Sequence, residues 1–153
     1  MSLIRLLTIV FSLLILTGPV HAMDLPAEEV EKISKIAHEA MAGSSIDGKT
    51  AIGKEKAATL KYPLVNLKAR EATIIRGSLS GFAAGCKMDW QERSFVPFMK
   101  AMREKHKDWN DYQFAYIGVL HGISMGSAER AVTQIKDSCN AKNKASLEES
   151  FYK

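Results

Sequence analysis

Two stretches of the chain carry glycine at every fourth position. Residues 110–132, NDYQFAYIGVLHGISMGSAERAV, hold Gly118, Gly122 and Gly126, and residues 73–89 hold Gly77, Gly81 and Gly85. Around both triplets apolar residues recur at steps of three and four, the helical period. Glycine inside a helix is about 1 kcal/mol worse than alanine. Three in step, twice, predict two helices whose backbones approach something closely. This GxxxG spacing is best known between membrane helices. Both stretches here carry polar sectors, so the expectation is close crossing within a bundle that faces water. The competing expectation is a shallow groove where a ligand or a partner segment meets exposed backbone.

The N-terminus reads as a secretory signal. Arg5 supplies the positive flank and residues 6–16 an apolar run broken only by Thr8 and Ser12. Gly18 and Pro19 follow, then Val20-His21-Ala22, an A-x-A-like cleavage site. The run is about half the length a bilayer-spanning helix needs. Cleavage after Ala22 leaves a helical domain over residues 23–153, enough for one compact domain. Its net charge of about +3 is too mild to indicate a nucleic-acid partner. No later stretch reads as a membrane span. The address this predicts is the periplasm of a bacterium or the exterior of a eukaryotic cell.

Cys86 and Cys139 are the two cysteines. In an exported protein two cysteines most simply form one disulfide. No C-x-x-C motif suggests a redox or metal role.

Periodicity and caps lay out the rest. A first helix is expected over residues 24–42, with Asp24 as cap, Glu28 and Glu29 at the positive end of the dipole, and Gly43 as terminator. Residues 43–66 read as a loop-rich linker, basic in its second half, with a short helix at 54–61 stopped by Pro63. The second long helix spans residues 67–88. Its glycines form one stripe with Ile74, its apolar ridge is Ile75, Leu79, Phe82 and Cys86, and Arg76, Ser80 and Lys87 share the polar sector. Ser94 is the expected cap of a third helix to about residue 107. Asn110 with Gln113 resembles a capping box for the fourth, to about residue 136, whose seam is Phe114, Ile117, His121, Met125, Ala128, Val132 and Ile135. Residues 145–153 form a short helix or tail. The fold class is therefore all-α: a single-domain bundle of about four main helices with one disulfide. Short connections make the second and fourth helices parallel, with both cysteines at one end. One tension remains. If the two triplets lay level, a continuous helix would carry Cys139 about 20 Å past Cys86.

Several residues are candidates for a site. His121 sits on an apolar seam. It is either a buried histidine satisfied by hydrogen bonds or, being near neutrality in its titration, a ligand-binding or pH-sensing group. Gly118 and Gly122 flank it. Trp90 and Trp109 mark the two ends of the third helix, where aromatic side chains close a core or anchor a partner. Met99, Met102 and His106 share a helix face that reads as core filling first and as a Cu(I) site second. Asp89 and Glu92 are a commonplace acidic pair. Nucleophile elbows, H-E-x-x-H and phosphate loops are absent from the sequence, and no cofactor is indicated.

From Cys86 onward the layout resembles the small periplasmic acid-stress chaperones. It shares with them a cysteine pair closing a loop of similar size and a lysine-rich tail, Ser138-Cys139-Asn140-Ala141-Lys142-Asn143-Lys144. The resemblance covers less than half the chain and implies a helical class with one disulfide. It carries no residue role, and the glycine triplets have no counterpart in it. The expected function is binding of a partner protein in the periplasm, as an inhibitor, immunity factor or chaperone. The alternative is a small-ligand or metal-binding module using a glycine-lined groove and His121. An enzyme ranks third.

Overall fold

The computed structural model describes residues 25–152, and the signal-like segment with its cleavage site lies outside them. Six helices make up an all-α fold: α1 Ala27–Glu39, α2 Lys54–Ala58, α3 Leu67–Gly85, α4 Val96–Lys105, α5 Asp111–Gln134 and α6 Ala141–Phe151. A π-helical turn, Gln91–Phe95, leads into α4. Among the described residues no helix is long and apolar enough to cross a membrane.

The parallel pair α3 and α5 is the spine, and the glycines of α3 make it possible. A Cβ built on Gly77 would lie 2.6 Å from the His121 carbonyl oxygen, and one on Gly85 2.9 Å from Val132 Cγ1. At Gly81 it would run into the Met125 carbonyl oxygen and come within 2.8 Å of Ala128 Cβ. No side chain fits there, so the two backbones touch. α1 packs across this pair. Val30, Ala37 and Met41 enter the main core with Ile74, Tyr116, Ile117 and Leu120, and the Tyr116 hydroxyl donates to the Ser34 carbonyl.

The register removes the tension over the cysteines. Gly85 faces Val132, not Gly126, so the triplets are staggered. α5 also ends early, at Gln134, and Asp137 takes a left-handed φ of 61° that turns the chain back. Cys139 thereby meets Cys86, and the disulfide joins them. It secures α6, whose Leu147 and Phe151 close a second, smaller core with Ala83, Phe82 and Trp90.

Caps match the sequence where they are local. Asn110 accepts from Gln113 N while Gln113 Oε1 accepts from Asn110 N, the reciprocal box expected at the start of α5. α1 begins after Pro26, and its expected cap, Asp24, lies outside the described residues. One local expectation gives way: Ser94 does not cap α4. It sits inside the π-helical turn, 1% exposed, and turns its hydroxyl inward. Residues 43–66, read from sequence as a linker, bury Ile52 and Val65 in the main core. They begin in a small hairpin pinned by Asp47, whose carboxylate accepts from Lys49 N and Thr50 N. Those bonds hold its pKa below the ordinary range. Between this segment and the bundle, buried Arg70 donates to Glu31 at 2.7 Å and to the Tyr62 hydroxyl at 2.6 Å. Burial first, and the Glu31 hydrogen bond second, push Tyr62 up to about 12.

Candidate binding face

The two glycine triplets have different surroundings. A Cβ on Gly118 or Gly122 would meet nothing within 4 Å, and one on Gly126 only the tip of Arg130 at 3.8 Å. Each lies six residues before an α5 residue that touches α3, hence about 120° round the helix from that contact. The α5 glycines therefore take no part in the α3–α5 crossing. They form a strip of helix backbone on another side of α5, with Gly122 exposed and Gly118 and Gly126 partly buried. The sequence expectation of close crossing holds for the first triplet. The second triplet stands clear of that crossing.

At one end the strip runs into a groove of about 510 Å³ between the hairpin and α4–α5. Its walls are largely apolar: Ile46 from the hairpin, Phe95 and Met99 from the turn and α4, and Phe114, Ala115 and Val119 beside Gly118 on α5. Ser44, Ser45 and Asp47 line the hairpin side. Arg103 lies over the Phe114 ring at 4.5 Å. Asp47 already gives both oxygens to its own loop. The arrangement offers an apolar trough, a cation, and backbone that no side chain shields.

His121 is one turn from Gly118, yet it does not line the groove. It is 2% exposed. Its Nε2 lies 3.0 Å from the Ser80 hydroxyl, which is 2.8 Å from that of Ser94. Phe95 packs on the ring at 4.6 Å between centroids, with Trp90 and Phe98 each at 6.3 Å. Burial first, then the charge of Arg76, pulls the imidazole down to about 4 from its usual 6.5. It is thus neutral at neutral pH. A Ser–His pair invites comparison with a nucleophile and its base. Here both serines are sealed from solvent, so no substrate reaches them in this conformation.

Of the five residues singled out from sequence, Trp90 and His121 are brought together, and Gly118 lies at the groove beside them. Gly122 continues the strip. Trp109 belongs elsewhere: its ring stacks on His106 at 3.9 Å and leans on Phe114. That stacking, with Met102 buried in the core, gives the Met99–Met102–His106 face to packing. Asp89 accepts from the Glu92 backbone N–H at the surface. Sequence reasoning missed Ser80 and Ser94. Ser80, on the sector of α3 that the helical period makes polar, is 0% exposed. Its one legible signal was a small hydroxyl at the position before Gly81, on a helix that must be approached closely.

The class these features define is a disulfide-closed all-α domain with an open, glycine-floored face. Compared with protein-family models, curated proteins and solved structures, the chain matches none.

Proposed function

We propose that this chain is an exported helical protein that binds a partner protein, an inhibitor, immunity factor or chaperone, through the glycine strip of α5 and the groove beside it. The observation that carries the reading is the empty space over Gly118 and Gly122. Helix-interior glycine costs about 1 kcal/mol against alanine. On α3 the crossing offsets that cost. On α5 nothing within the described residues does, whereas a closely approaching partner backbone would. The groove supports a mainly apolar contact. Export is supported by the signal-like sequence and by the Cys86–Cys139 disulfide, and in a bacterium it implies the periplasm.

The test is Gly122→Leu, which places a branched side chain on the open strip. The variant should fold, and be as stable as the parent or more stable by up to about 1 kcal/mol, since leucine is the better helix former and its Cβ meets open space. Native mass spectra of the protein recovered from its own cells should show a second polypeptide with the parent and none with the variant. A retained small molecule or metal in place of a polypeptide would instead select the ligand-binding alternative. Equal capture of the partner by parent and variant would remove the strip from the interface.

A further inference from the structure

Three separate elements meet at one buried hydrogen-bond chain. Ser94 comes from the π-helical turn, Ser80 from α3 and His121 from α5, at 2.8 and 3.0 Å. All three side chains are at most 2% exposed. Among the described residues, the turn's other side-chain hydrogen bonds to a helix or helix end outside it are at the surface, where Arg93 donates to Glu148 of α6 and to the Tyr152 hydroxyl just past it. α4 has its close backbone neighbours chiefly in the turn itself. Whatever holds the turn therefore holds the start of α4, while Met102 fixes its far half in the main core. Phe95 stands between His121 and the groove: it packs on the imidazole and also lines the trough.

We propose that this Ser94–Ser80–His121 chain is an acid-sensitive latch, and that a proton taken from solvent by His121 releases the π-helical turn and the start of α4 from the α3–α5 pair and opens the groove toward the core. The latch is independent of the partner-binding reading. A charged imidazolium in this pocket loses its hydration, and the aromatic faces around it return only part of that cost. No carboxylate faces it to compensate. On α3 the neighbouring charge is Arg76, of like sign. On the turn, Glu92 is exposed and Arg93 is engaged with α6; on α4, Lys100 and Arg103 are exposed, with Arg103 over Phe114. Glu129 and Arg130, on α5 itself, lie two turns or more along the helix. Opening the turn lets water reach the ring. The sign follows from linkage: the closed form resists protonation, the open form does not, and acid favours the open form. The shift begins below the ordinary histidine range near pH 6.5 and levels off near pH 4.

Amide hydrogen exchange on the full mature protein, corrected for the intrinsic pH dependence, tests this. Between about pH 6 and pH 4.5, protection of the turn and the start of α4 should fall roughly tenfold per pH unit. The α3 and α5 amides should stay protected. His121→Gln keeps an acceptor for Ser80 and cannot charge, so its protection should not change with pH. The same loss in His121→Gln would overturn the latch, as would loss of protection at equal slope in α3 and α5. If that variant fails to fold, the ring carbons of His121, read by NMR beside His38 and His106 in the parent, decide the matter. A titration in step with the loss of protection sustains the proposal. An ordinary titration near pH 6.5 with the turn undisturbed contradicts it.

Discussion

Gly81→Ala should cost about 2 kcal/mol or more of unfolding free energy, although alanine is the better helix former. The intrinsic gain is about 1 kcal/mol. Against it stands a methyl group with nowhere to go. It would enter the space of the Met125 carbonyl oxygen and lie 2.9 Å from the Glu129 backbone nitrogen. Both are backbone atoms in the middle of a 24-residue helix and cannot rotate away. α3 and α5 must separate, which opens gaps beside Ile74 and Leu120 in the main core. Overpacking of this kind costs 1–3 kcal/mol and occasionally more, and a rigid neighbour places it at the upper end. Chemical unfolding read by helical circular dichroism measures it. A variant as stable as the parent would mean that the helices do not cross at Gly81.

Removing the disulfide should cost about 4 kcal/mol. The cysteines are 53 residues apart, and the chain-entropy relation gives that figure for a loop of this length. Domains of this size are stable by about 5–15 kcal/mol in total, so the loss is a large share. It should be felt first at α6. That helix buries only Leu147 and Phe151, and the disulfide joins the turn before it to the end of α3. The ion pair between Arg93 and Glu148, at 2.6 Å, is half exposed at both ends and contributes little. In the Cys86→Ser, Cys139→Ser double variant, limited proteolysis should cut first near residues 135–140 and release α6. An unchanged denaturant midpoint, with α6 still protected, would contradict this weight on the disulfide.

What the sequence made legible was local or periodic. The capping box at Asn110 needs only Asn110 and Gln113. The seam of α5 follows from spacing, and from Phe114 to Val132 it is at least half-buried as expected; Ile135, past the helix end, is exposed. The parallel pairing of α3 and α5 followed from short connections and two cysteines. The limits had physical causes. A four-residue glycine spacing states that a helix face is bare, but not what covers it, and the two triplets have opposite answers. On α3 alone the helical period places Ser80 in a polar sector with Arg76 and Lys87. The partner that buries it, His121, is 41 residues away. The π-helical turn carries no propensity signal of its own, so Ser94 read as a cap when it is a tether. His121 was legible as a seam residue of two possible kinds. The aromatic pocket around it depends on where the turn places Phe95.

Unfolding free energies of six alanine variants, one for each glycine of the two triplets, would test the central claim most directly. The claim is that the fold fills one face and leaves the other open. Alanine at Gly77, Gly81 or Gly85 should destabilise. Alanine at Gly118, Gly122 or Gly126 should be neutral or stabilise by up to about 1 kcal/mol, since the new methyl group meets open space and improves the helix. Losses of similar size in both sets would mean that the α5 strip is packed against the rest of the protein, and the open binding face would not exist.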